Sequence, residues 1–260
     1  MNQLAANLPQ FAGTQAVGFV LVMCRIGGLF VLAPVFSGRM IPMQAKLILA
    51  GVISFTLEPL VAAHGVPTGL AVVPVMVKET VVGLAFALAL GVLGAAVQFA
   101  ASILDTMIGF SYAALIDPMN NAPSAVLGQL YSLFSVLVFI MIGGDRLMIM
   151  GLAKSYDLIP VGQVPSVAQM GSLATDGLAQ VGVVGLEIGA PVIIALALVD
   201  IAFGLIARTV PQMNVFIVGL PGKILVGFAA IGASLAFVTG DLQTLLTQAV
   251  LHSLQALRVR

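Results

Sequence analysis

The residues able to do chemistry are few and mostly charged. Asp200, Gly204 and Arg208 follow i, i+4, i+8 spacing on one broad helical face, while Glu187 falls on a different face. Arg25 stands in the middle of an apolar run, and Lys78 and Glu79 are adjacent, so they point to different faces of one helix. Ionisable groups at membrane depth are costly and are usually either paired or functional. One chemistry open to this set is a proton or ion relay; the other is inter-helix ion pairing that fixes register. The carboxylates do not converge on one face and no histidine lies near them, which favours pairing. Arg25 needs a carboxylate that spacing within one chain does not name. Asp200 and Arg208, two turns apart, are expected to pair with residues on neighbouring helices.

Other chemistries find no constellation. The single cysteine, Cys24, lies inside an apolar run and is read as a small buried apolar side chain. His64 and His252 have no Cys, His or carboxylate at ligand spacing, so neither zinc nor any other metal or cofactor is expected. No nucleophile–base arrangement is present, and the chain is not expected to be an enzyme. Ten basic and ten acidic residues cancel, so no basic field points to nucleic acid.

The most unusual stretch is 105–123, DTMIGFSYAALIDPMNNAP. It is too polar to span a membrane. Yet it holds Met107, Phe110, Tyr112, Ile116 and Met119 among the turn formers Gly109, Pro118, Asn120 and Asn121, with Asp117 before the proline. A surface loop is one reading. A re-entrant segment or plug is the sharper one, because irregular backbone at membrane depth survives only against protein or a water-filled cavity.

The elements that must position these groups are apolar helices. The chain is 60% hydrophobic and 8% charged, with a mean hydropathy of +1.16. Soluble domains carry roughly 25% charged residues, so lipid or an apolar assembly must solvate much of this surface. Spans are expected near 16–35, 44–63, 74–104, 124–142, 176–209 and 215–238, with 143–175 as a short helix and loop. The 74–104 run would be about 45 Å long against roughly 30 Å of hydrocarbon. Such helices must tilt, kink, or stand in an assembly that is not a simple bundle. Basic residues on both sides of a six-span arrangement give no clean orientation. The N-terminus has no positively charged region or small-residue cleavage pattern, so no cleavable signal is expected. Small residues repeat at helical spacing: Gly83, Ala87, Gly91 and Ala95; Gly182, Gly185 and Gly189; Gly232, Ala236 and Gly240. Such ladders let helix backbones approach closely.

Taken together, these residues resemble one family over essentially the whole chain: the R components of the bacterial flagellar type III export gate and their virulence-secretion counterparts. The resemblance rests on Arg25 with Pro34 and Pro42, on KETVVGLAFALALG from Lys78, and on Asp105, Gly109 and Asp117–Pro118. It continues through the GG at Gly143, SYDLIPVG, and the AP at Ala190. Its most specific part is DIAFGLIARTVPQMNVFIVGLPGK from Asp200, whose PQMNVF and GLPGK are more flagellar than virulence-type. Asp145 departs from the pattern, standing where the family usually has histidine.

The resemblance implies an all-α polytopic membrane protein with long kinked helices and a C-terminal helical hairpin, packed as one subunit of a helical pore assembly. Residues 1–175 would resemble a P-type gate subunit and residues 176–260 a Q-type subunit. The hairpin would turn at Pro211, Gln212, Asn214 and Phe216. The partners implied are the P and Q components, the large B and A export components, membrane lipid and unfolded flagellar export substrates. The location implied is the basal body in the bacterial inner membrane. Segment 105–123 would plug the pore. An ion-coupled secondary transporter is the competing class, although the two halves show none of the internal repeat that many transporters carry.

Overall fold

The computed structural model describes residues 2–33, 41–62, 67, 69–110, 126–141, 143–212, 214, 217–234, 244 and 248. Among them there is no strand. The helices are α1 (Asn2–Leu32), α2 (Met43–Ala62), α3 (Val72–Ile108), α4 (Val126–Met141), α5 (Gly144–Leu158), α6 (Val167–Thr209) and α7 (Ile217–Ser234). A short 3-10 turn, Gly69–Ala71, leads into α3, and Pro74 sits in the first turn of α3, where its missing N–H costs nothing. Pro59 and Pro191 lie inside α2 and α6 without ending them, as happens where neighbouring helices satisfy the freed backbone groups.

Four described helices are long and apolar enough to cross a membrane: Gly13–Leu32, Gly69–Ile108, Val167–Thr209 and Ile217–Ser234. A fifth span arises if α4 and α5 count together. The protein is an all-α polytopic membrane protein. At 37 and 43 residues, α3 and α6 exceed their expected runs. The boundary expected at 175/176 falls inside α6, because the helix begins earlier, at a capping box. Ser166 Oγ accepts from the Gln169 N–H at 3.2 Å, and Gln169 Oε1 accepts from the Ser166 N–H at 2.8 Å.

The chain divides into two compact units. The first takes its described residues from Met1–Val92, Gly143–Leu178 and Leu246–Arg260. In it, α1 buries Leu21, Val22, Ile26, Leu29 and Phe30, and α2 buries Ala50, Ile53, Leu57 and Val61, each at helical period. Phe86 and Leu90 of α3 and Met148, Leu152 and Tyr156 of α5 are buried in the same unit. The ladder starting at Gly83 works here. A Cβ on Gly28 would stand 2.6 Å from the Thr80 carbonyl oxygen, and one on Gly83 would collide with the Arg25 carbonyl. The backbones of α1 and α3 touch at both glycines.

The second unit takes its described residues from Leu93–Ile142 and Ala179–Leu245. Its core is Ala96, Val97, Ala100, Ala101, Leu104 and Ile108 of α3, Leu127 and Tyr131 of α4, Val184, Ile188, Val192 and Leu196 of α6, and Ile231 of α7. Gly185 permits close contact with α3, its Cβ position being 2.8 Å from the Ala96 carbonyl. Gly182 and Gly232 face open space, and Ala236 and Gly240 lie outside the described residues. Large apolar side chains remain exposed in both units; Phe55, Leu178 and Leu225 are 76%, 75% and 73% exposed. Water is a poor solvent for such surfaces, which call for lipid or neighbouring protein.

Candidate functional site

The first unit is organised around Arg25, which is fully buried. Its Nε donates to Glu79 Oε2 at 2.6 Å, and neither side chain is exposed. Nη1 donates to Ser155 Oγ at 3.0 Å, Nη2 donates to the Ile159 carbonyl at 3.1 Å, and Cζ lies 3.8 Å above the Tyr156 ring centroid. The guanidinium therefore uses its fork and its flat face at once, which a lysine could not do.

Glu79 Oε1 accepts the Gly162 N–H at 2.9 Å, and Lys78 Nζ donates to the Gly162 carbonyl at 3.0 Å. Gly162 has φ of +80°, a conformation that glycine adopts freely. Lys78 and Glu79 do point to different faces, but both reach the same residue. The last turn of α5 and the turn after it are thus held by α1 and α3. Both Glu79 oxygens are occupied. This is a clamp in which the two buried charges are paired with each other, while the buried Tyr156 hydroxyl beside them has no hydrogen-bond partner.

The second unit carries a bracket at the end of α3. Gly109, with φ of +104°, ends the helix, and the Asp105 carbonyl accepts the N–H groups of Gly109 and Phe110 at 3.1 and 2.9 Å. The Asp105 side chain, 2% exposed, accepts from the first turn of α4: Oδ1 from the Leu127 N–H at 2.9 Å and Oδ2 from the Gly128 N–H at 3.3 Å. One residue terminates α3 with its carbonyl and caps α4 with its carboxylate. Lys223 Nζ donates to the Met107 carbonyl at 3.3 Å and is ion-paired with Asp200.

Asp105→Ala leaves two N–H groups of α4 without a partner and is expected to lower stability by about 1–2 kcal/mol. Asp105→Asn, which keeps one good acceptor, should recover at least half. Unfolding of the purified protein in mixed detergent micelles reads the difference; an Asp105→Ala protein as stable as the parent would contradict the cap.

Of the expected plug residues, Met107 and Phe110 are partly buried and Gly109 is buried. Tyr112, Ile116, Asp117, Pro118 and Met119 lie outside the described residues. Asp200, Arg208 and Glu187 are all exposed, and Asp200 is paired with Lys223 on α7. At the hairpin, Pro211 and Gln212 form the turn, and Asn214 caps α7. The Asn214 carbonyl accepts the N–H groups of Ile217 and Val218, and Oδ1 also accepts that of Ile217. Phe216, His64 and His252 lie outside the described residues. Among the described residues no cluster of His, Cys, Asp or Glu could hold a metal ion. Cys24 is only partly buried. The residues that sequence reasoning missed are Ser155, Tyr156, Gly162 and Lys223. Ser155 and Tyr156 open SYDLIPVG, Gly162 closes it, and Lys223 ends GLPGK, so each stood in a recognised motif without an assigned role.

The family model described as "Bacterial export proteins, family 1" matches residues 16–259. "Flagellar biosynthetic protein FliR" of Bacillus subtilis (strain 168) is 34% identical over 217 residues, covering 81% of this chain and 83% of that protein. The protein of the same name from Escherichia coli (strain K12) is 27% identical, covering 83% of each. "Surface presentation of antigens protein SpaR" of Shigella flexneri is 30% identical over 148 residues, 57% of each chain. With nearly its whole length matched, and with the clamp and the bracket inside the matched region, the chain belongs to family 1 of the bacterial export proteins.

Proposed function

We propose that this chain is a structural subunit of the flagellar protein export gate in the bacterial inner membrane, and that segment 105–123 plugs the pore until an unfolded flagellar protein passes. The observation that carries the reading is the similarity to flagellar relatives over four-fifths of the chain, against little more than half for the SpaR proteins. The exposed apolar surfaces of α2, α6 and α7 fit a subunit buried among P and Q components and lipid, with the larger B and A components beyond. On this reading residues 1–175 act as the P-like part and 176–260 as the Q-like part. An ion-coupled transporter would want a carboxylate free to exchange its partner. Glu79 is buried and held by Arg25 and the Gly162 N–H, and Asp200, half-exposed, is ion-paired with Lys223; of the other carboxylates, Glu58 keeps one buried oxygen without a hydrogen-bond partner.

The plug has a direct test. Removing residues 111–121 spares the Gly109 turn and the Asp105 cap. It should leave assembly intact, scored as co-purification with the small helical partners, while the membrane becomes leaky to ions and small solutes. A normal barrier at normal complex level would sink the plug, and loss of solute uptake without leakage would favour the transporter.

A further inference from the structure

The last carbonyls of any α-helix lack intrahelical partners, and the helix dipole leaves negative charge there. In α3 the Asp105 carbonyl is taken by Gly109 and Phe110, while the Met107 carbonyl is met by an ammonium from another helix, Lys223 of α7. The same ammonium pairs with Asp200 of α6, so one cation ties the end of α3 to both arms of the hairpin. A second contact continues the first. One turn beyond Lys223, a Cβ on Gly227 would lie 2.6 Å from Ile108 Cδ1 and 3.6 Å from Leu196 Cδ2. Lys223 and Gly227 therefore share the strip of α7 that rests on Met107 and Ile108, the residues just before the Gly109 turn. Around the ammonium, Asp200 is the facing carboxylate; Arg208, two turns further along α6, is exposed.

We infer that Lys223 is a positioning residue of the export barrier. Through the Met107 carbonyl it fixes the Met107–Phe110 turn, the root from which segment 105–123 leaves α3. The inference rests on the proposed plug but concerns a different part of the molecule, the C-terminal hairpin acting as a buttress. It also separates two roles of one charge pair. Asp200 neutralises Lys223, whereas Lys223 alone holds the α3 carbonyl.

The experiment compares variants in the assembled complex, with ion and small-solute influx normalised to complex level. Lys223→Met should raise influx roughly tenfold, the factor expected when one charge-assisted hydrogen bond is lost from a two-state equilibrium. Lys223→Arg, which keeps a donor, should stay near the parent. Asp200→Asn leaves the Met107 bond in place and should leak far less than Lys223→Met. Equal leakage from Asp200→Asn and Lys223→Met would overturn the inference, because the ion pair alone would then account for the effect. A tight Lys223→Met complex would also overturn it.

Gly227→Val is the second variant. It keeps both charges and sets a branched side chain against Ile108 and Leu196, more bulk than the swing of one side-chain end absorbs, so a leak from it supports the buttress. A tight Gly227→Val together with a Lys223→Met chain that fails to assemble overturns it. The 111–121 deletion keeps the two ideas apart. A leaky deletion beside a tight Lys223→Met defeats only the role of Lys223, and a tight deletion defeats the plug itself.

Discussion

Arg25→Met should destabilise the protein by about 3–5 kcal/mol, because it leaves the Glu79 carboxylate buried without its cation. Methionine keeps the unbranched stem but ends near the position of Nε, so a small void where the guanidinium stood adds to the electrostatic loss. Three donors disappear together, those to Glu79, Ser155 and the Ile159 carbonyl, along with the stacking on Tyr156. Glu79→Ala should cost a similar amount by stranding the guanidinium, and would also free the Gly162 N–H. Arg25→Lys should fall between, since an ammonium cannot satisfy the forked set. The informative variant is the double one, Arg25→Met with Glu79→Met. Replacing a buried ion pair by apolar side chains is often close to neutral, so the double variant should recover most of the loss. Accumulation in the membrane and unfolding in mixed micelles measure all four. A double variant as poor as either single one would mean that the clamp acts through geometry and not charge. A Glu79→Ala protein that assembled fully and lost proton-coupled export would restore the relay reading.

Much of this arrangement was legible before any coordinates, and its gaps have physical causes. A buried arginine announces itself in an apolar run, but its carboxylate lies 54 residues away on another helix, beyond what helical period can reveal. The pairing of Asp200 was more accessible than it looked. Spacing along α6 drew attention to Arg208, two turns away. Yet an antiparallel hairpin turning at Pro211–Gln212 sets Asp200 opposite the residue at the same chain distance beyond the turn, and that residue is Lys223. Phe203 follows the same rule, packing against Gly219 and Gly222. The start of α6 was also written in the chain, in the Ser166–Gln169 capping box; hydropathy hid it because the first turns of α6 are polar enough to read as loop. What could not be read was the convergence of Lys78 and Glu79 on Gly162, which depends on where the turn after α5 ends up. The ladders were half informative. Periodicity identifies small residues, but only packing decides that Gly83 touches a backbone and Gly232 touches nothing.

That difference sets the second large effect. Gly83→Ala should be among the most damaging single-methyl additions in the chain, because the new Cβ would collide with the Arg25 carbonyl. A side-chain end can swing aside; a backbone carbonyl within α1 cannot move unless the helix moves. Gly28→Ala meets the same contact from the other side, 2.6 Å from the Thr80 carbonyl and 2.7 Å from the Leu84 nitrogen. Overpacking a core typically costs about 1–3 kcal/mol. Here the cost should exceed that range, because Gly83 lies one turn from Glu79 and Gly28 just under a turn from Arg25. Any separation of α1 from α3 therefore stretches the buried ion pair as well. Gly91→Ala, 3.3 Å from the Leu32 carbonyl, should be milder. Gly232→Ala and Gly204→Ala, with nothing within 4 Å, should be neutral or slightly stabilising, since alanine exceeds glycine in helix propensity by about 1 kcal/mol. Unfolding in mixed micelles should order the variants Gly83→Ala, Gly28→Ala, Gly91→Ala, Gly232→Ala from least to most stable. Combining Gly83→Ala with Arg25→Met should then cost less than the sum of the two, because the methyl has already broken the pair that the second change removes. Additive losses would mean that α1 and α3 part without disturbing the clamp, and that backbone contact and ion pair are separate devices.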